Sequence, residues 1–196
     1  MMKFTLSFLL SSLLLFSCNQ AKEQKANSSE DIDVLIEAYN NRDWEKILSI
    51  CDTLYNKEDT KEVALVYSEA LAATGHFDEA IIVLDRKIAQ APNNYYALQS
   101  KGNTYNVAEE YDSAIFYYDK VIEIRPTYAR PYINKGGIYE RLGNNEKAVS
   151  SYLEAVRLFA EHNLYDETYQ YSKRILELDS TNSKAKEYLM LLQKSH

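Results

Sequence analysis

Cysteine, histidine and tryptophan are nearly missing from this 196-residue chain, at 2, 3 and 1 residues. So few thiols and imidazoles, scattered along the sequence, supply almost no material for a metal site or a redox pair. No metal and no other cofactor is expected. Glycine (5) and proline (3) are scarce too, and with 46% hydrophobic and 26% charged residues this excludes collagen-like, low-complexity and disordered classes. Positive charge is in deficit: 22 Lys and Arg stand against 29 Asp and Glu, and no basic run breaks the balance. Nucleic acid is therefore not an expected partner. Five glycines form no phosphate-cradling loop, and no nucleophile motif appears. His76 and His162 fall in turns, and His196 ends the chain. Glu109, Glu110 and Asp112 cluster at a turn, where capping and solvation account for them. No catalytic residue and no small-molecule substrate is expected; the chain reads as a non-enzyme. What is abundant is tyrosine, 17 residues beside 6 Phe, in a background of few turn residues. That composition suits helices with aromatic packing.

Residues 1–17 read as a targeting segment: Lys3 gives a positive start, and an apolar stretch runs from Phe4 to Phe16. The stretch is shorter than the roughly 20 residues that a spanning helix needs. It runs into Leu15-Phe16-Ser17-Cys18, which resembles the lipobox of bacterial lipoproteins, with Leu three before the cysteine and a small residue just before it. That resemblance implies that Cys18 becomes the acylated N-terminus and anchors the chain to a membrane of the cell envelope. Asn19 follows where lipoproteins kept at the inner membrane usually carry Asp, so the outer membrane is favoured. Residues 18–29 then form the lipidated cysteine and a polar tether with a reach of roughly 20 Å. Cys51, left without a partner, lies among Ile47, Leu48, Ile50 and Leu54 and reads as a small buried hydrophobe.

From residue 30 onward a period of 34 governs the chain. Ala80, Ala114 and Ala148 obey it, as do Gly102 and Gly136, Tyr105 and Tyr139, Tyr118 and Tyr152, and Pro92 and Pro126. Each unit holds two runs with apolar residues at helical spacing, joined by a short polar turn. Gly75 is placed to end one helix and Asp78 to cap the next; Asp112, Asn145 and Asp166 stand comparably before their own runs. Pro92 and Pro126 close the second helix of their units.

One unit reads Leu98-x₂-Lys101-Gly102-x₂-Tyr105, Ala114-x₃-Tyr118, Pro126; the next reads Tyr132-x₂-Lys135-Gly136-x₂-Tyr139, Ala148-x₃-Tyr152. The pattern resembles the tetratricopeptide repeat (TPR). It implies an all-α, right-handed α-solenoid of TPR helix hairpins, about ten helices over residues 30–196. Repeats are expected at about 28–60, 61–94, 95–128 and 129–162, the first degenerate because Ile47 replaces its small alanine. Residues 163–196 would form an atypical repeat and a capping helix. There the register slips: Tyr165-Asp166-Glu167-Thr168 resembles the start of a second helix, 183–194 resembles a first one, and helix 146–161 would serve two repeats.

The resemblance also implies a function. The first helix of each repeat lines a concave groove, where the inward side chains are Tyr96, Gln99, Asn103 and Asn106, then Arg130, Ile133, Asn134, Gly137 and Arg141. Asn103 and Asn134 fall where peptide-binding relatives use Asn to hold an extended ligand, since an amide both donates and accepts. Leu65 and Gln99 occupy the place of the lysines that clamp a terminal carboxylate in chaperone-binding relatives, so chaperone tails are disfavoured. Arg130 and Arg141 favour an acidic ligand. The expected role is an envelope-anchored interaction scaffold that binds another protein, as an extended peptide or a partner domain. The alternative is a constitutive subunit of an outer-membrane assembly, docked through the broad apolar run Tyr188–Leu192.

Overall fold

A computed structural model describes residues 33–57 and 61–194. The expected signal segment 1–17, the expected lipid site Cys18 and the expected tether to residue 29 lie outside the described residues. Every regular element described is an α-helix: α1 (33–41), α2 (Trp44–Lys57), α3 (Lys61–Ala73), α4 (Phe77–Gln90), α5 (Tyr95–Val107), α6 (Tyr111–Ile124), α7 (Ala129–Arg141), α8 (Asn145–Glu161), α9 (Tyr165–Leu178) and α10 (Ser183–Lys194). None of them is long and apolar enough to cross a membrane. The all-α hairpin architecture expected from the 34-residue period is the one found. The chain divides into two compact units, one ending at Ala70 and the other starting at Leu71.

In the first unit Leu35 and Ala38 of α1, Ile47, Cys51 and Leu54 of α2, and Val63 and Ala70 of α3 close one core. Asp43 caps α2 by accepting from the Lys46 amide at 3.1 Å. Cys51 is fully buried. Burial, helped by the neighbouring Asp52 charge, pushes its thiol pKa up to about 12. The Tyr67 hydroxyl is also pushed up to about 12, by burial first and then by its hydrogen bond to Asp52.

The second unit is built of antiparallel hairpins, and two of them, α5–α6 and α7–α8, close on a glycine. Tyr118 of α6 lies against Gly102 of α5, and Tyr152 of α8 against Gly136 of α7. A Cβ at Gly102 would stand 2.6 Å from Tyr118 Cε1, and one at Gly136 would stand 2.5 Å from Tyr152 Cε1. Only a residue without a side chain lets the ring lie there. Tyr118 is fully buried with Ala114 and Ile138, and Tyr152 shares a core with Ala148, Val156, Ile175 and Ala185.

Successive hairpins are fastened by a repeated ion pair, Lys101 of α5 to Asp85 of α4 and Lys135 of α7 to Asp119 of α6. Lys101 is almost wholly buried. Burial alone would lower its pKa, but hydrogen bonding to Asp85 and Tyr117 outweighs that and the net shift is upward. Its ammonium also stands 4.8 Å from the Tyr117 ring centroid.

The turns differ from the expectation in one respect. Gly75 does end α3 in a left-handed conformation (φ 85°), but Glu109 and Asn163 take the same conformation at later turns without being glycine. The helices then begin at Phe77, Tyr111 and Tyr165, so Asp78, Asp112 and Asp166 lie in the first turn rather than at the cap. There they act on the helix dipole. Asn144, not Asn145, caps α8, accepting from the Lys147 amide at 3.1 Å. Asn94 and Asn182 cap α5 and α10 in the same way.

The glycines give predictions of opposite sign. Gly102→Ala and Gly136→Ala force a buried ring to move and should destabilise by about 1–3 kcal/mol in urea unfolding. Gly137→Ala meets nothing nearer than 3.7 Å and removes a helix-interior glycine, so it should be neutral or stabilise by about 0.5–1 kcal/mol. Cys51 gives another. In a Cys18→Ala background the folded protein should resist iodoacetamide at pH 8 and label only on unfolding. Both raised groups are neutral in the folded state, so the unfolded chain loses protons first. Stability should therefore fall as pH climbs from about 9 to 12, read as the melting temperature.

Candidate functional site

Along α7, residues Arg130, Ile133, Asn134, Gly137 and Arg141 follow at intervals of three and four and so share one face of the helix. That face borders a cleft of about 550 Å³ whose far wall is α9, with Glu167, Gln170 and Tyr171, and whose floor is Leu158 and Phe159 of α8. A second cavity of about 440 Å³ shares Gln170 and Tyr171 and runs on to Arg141, Glu140 and Arg174. The two form one open channel between α7 and α9. Tyr171 stands at its middle, stacked on Phe159 at 5.8 Å and 5.6 Å from the Tyr152 ring. Burial raises the Tyr171 pKa, with Arg130 lowering it and Glu167 raising it, so both charges are felt in the channel.

The helix beneath the channel, α8, is longer than its counterparts. α4 and α6 have 14 residues each, whereas α8 has 17. α9 begins 36 residues after α7, whereas α7 begins 34 after α5. The bond of α9 to α7 is an ion pair, Arg174 holding Glu140 through two nitrogens, with Arg174 Nε at 3.1 Å from Glu140 Oε2. The Tyr152 hydroxyl donates to the same Glu140 oxygen at 3.1 Å. Glu140 and Arg174 stand 34 residues apart, one repeat period, as Asn103 of α5 and Asn134 of α7 stand 31 apart.

Between α5 and α7 the asparagines bridge the two helices. Asn103 Oδ1 accepts from Tyr118 Oη at 2.9 Å, from Gln99 Nε2 at 3.0 Å and from Asn134 Nδ2 at 3.0 Å. Arg141 Nη1 donates to Asn106 Oδ1 at 2.9 Å. Gln99 is buried, and its own Oε1 has no hydrogen-bond partner. Tyr96 is exposed, its ring 4.1 Å from that of Tyr95. Burial raises the Tyr118 pKa well above that of a free phenol, so this hydroxyl remains a donor.

Of the expected groove residues, then, Arg130, Ile133, Asn134 and Arg141 line the channel. Asn103 and Asn106 spend their carbonyls on joining α5 to α7. Sequence reasoning missed Phe159, Gln170, Tyr171 and the Glu140–Arg174 pair. The 34-residue interval from Glu140 to Arg174 was the available signal. Among the described residues no group of three His, Cys, Asp or Glu could hold a metal ion.

The comparisons agree with this architecture. Residues 95–128 and 129–162 match the tetratricopeptide-repeat profile. A 124-residue stretch is 27% identical to ER membrane protein complex subunit 2-B of Xenopus laevis, covering 59% of this chain and 42% of that protein. A 56-residue stretch is 39% identical to uncharacterized protein ycf37 of Guillardia theta, covering 29% and 32%. The chain thus spans less than half the length of these relatives. Among solved structures, MamA (residue 41 to the end) from Desulfovibrio magneticus RS-1 superposes with a TM-score of 0.61 at 20% identity, covering 84% of this chain and 92% of that one. TTC0263, a thermophilic TPR protein of Thermus thermophilus, superposes with a TM-score of 0.58 at 15% identity, covering 84% and 98%. At such identities the likeness is one of fold.

The asparagine junction yields a prediction. Asn103→Ala strands three donors and should cost about 1–3 kcal/mol of stability. Asn103→Asp keeps the acceptor and should fall within about 1 kcal/mol of wild type. Equal loss in the two variants, measured by urea unfolding, would remove the junction from the account.

Proposed function

We propose that this chain is a non-catalytic interaction scaffold, anchored in the bacterial cell envelope by a lipid on Cys18, that holds an extended segment of a partner protein in the α7–α9 channel. The channel is the observation that carries the reading. It is long and open and has an apolar floor at Ile133, Leu158 and Phe159. Amides at Asn134 and Gln170 can pair with a peptide backbone from either side. The TPR profile over residues 95–162 supports a protein as the partner class. The Leu15–Cys18 sequence supports the anchor, and Asn19 supports the outer membrane. Two or more acyl chains hold a protein stably where one does not.

A second reading, a constitutive subunit of an outer-membrane assembly docked through α10, draws on the exposed Met190 and Leu191 side chains.

One experiment separates the two. A photo-crosslinking residue is placed at Gln170 in the channel, at Met190 on α10 and at Phe116 on α6, in cells carrying either Cys18 or Cys18→Ala. The channel reading expects a defined adduct from Gln170 and none from Phe116. It also expects loss of fatty-acid labelling and of membrane fractionation in Cys18→Ala. An adduct from Met190 alone would transfer the function to α10, and unchanged labelling of Cys18→Ala would refute the anchor.

A further inference from the structure

The charges of the channel are unevenly spent. Arg174 is neutralised by Glu140 and Glu177. Arg130 and Arg141 are exposed and enter no ion pair among the described residues; Arg141 has only the neutral Asn106 amide as its hydrogen-bond partner. Both sit on the channel face of α7, one in each half of the channel. Eleven residues separate them, close to three full turns, so both side chains leave the same face of α7 about 16 Å apart, the Arg141 guanidinium reaching to Asn106 of α5. Between them lies Ile133, level with the apolar floor.

From this geometry, and resting on the scaffold reading above, we infer that the channel takes an extended acidic segment with the pattern acid–x–apolar–x–acid. In an extended chain residues i, i+2 and i+4 face one side, and the outer two lie about 13 Å apart. The Arg and Glu side chains span the remaining few ångströms. The central apolar residue then meets Ile133 and Phe159, while the two carboxylates meet Arg130 and Arg141. Glu167 stands on the α9 wall and forms no ion pair with any described residue. It repels a segment whose acids face α9, which sets the side on which the carboxylates lie. The net negative charge of the whole chain does not oppose this, since at physiological salt only charges within about 8 Å are felt strongly.

The test uses the full-length chain and a fluorescent, N-acetylated and C-amidated peptide, Ser-Glu-Ser-Leu-Ser-Glu-Ser, followed by anisotropy at low salt. Saturable binding is expected, weakened about threefold by Arg130→Gln and again by Arg141→Gln. Replacing both peptide glutamates by Gln should weaken it about tenfold, and Arg86→Gln, on α4, should leave it unchanged. Moving the two glutamates next to each other should weaken it as the double Gln replacement does. Equal affinity for the Glu and Gln peptides, or indifference to both arginines, overturns the inference. So does an absence of binding. In that last case a Gln170 photo-adduct in cells would keep the channel as a partner site with another ligand chemistry, and its loss would remove both.

Discussion

The seating of a tyrosine ring on a glycine is the constraint from which the second unit follows. Helices approach as closely as their contact residues allow, and at Gly102 and Gly136 nothing but backbone stands beneath the ring. The rings of Tyr118 and Tyr152 then fill the space between paired helices, and their hydroxyls emerge at the edge of the hairpin. There each meets an acceptor on the first helix, Asn103 in one hairpin and Glu140 in the next. The following first helix donates to that same acceptor, through Asn134 or Arg174. Close packing inside a hairpin thereby sets the polar bond between hairpins, and each unit passes its geometry to its neighbour.

Much of this was legible in the sequence, because packing of this kind needs particular residue sizes at particular intervals. Gly102 and Tyr118, and the alanines at 80, 114 and 148, disclose the hairpins as a matter of volume. Cap positions were less legible. Glu109 and Asn163 adopt the left-handed conformation at turns where glycine was the natural guide, and the helices start one residue before the aspartates taken as caps. The face of α9 was hidden for another reason. α8 has 17 residues where α4 and α6 have 14, and a spacing rule cannot tell whether the helix that follows is a first or a second one. The roles of Asn103 and Asn106 were hidden as well. Whether an amide serves a ligand or a neighbouring helix depends on how far apart the helices stand, which composition does not encode.

Regular and irregular parts of the unit thus divide the work. Where spacing is regular, the inner side chains of α5 and α7 reach one another and satisfy one another. Beside the longer α8, α7 and α9 meet through Glu140 and Arg174, and Arg130, Ile133 and Asn134 border the cleft. The cleft borders α8, whose length departs from that of α4 and α6.

That departure bears on how the molecule loosens. The joint between α5 and α7 is made of hydrogen bonds onto neutral amide oxygens, from Asn134 and Arg141, and holds no ion pair among the described residues. The joint between α7 and α9 is an ion pair at the protein surface, which mobile ions weaken. With hairpins coupled only to their neighbours, opening begins where the coupling is softest. The coupling of α9 to α7 then tracks the ionic strength around it, while the apolar packing of Tyr171 and Ile175 against α8 does not.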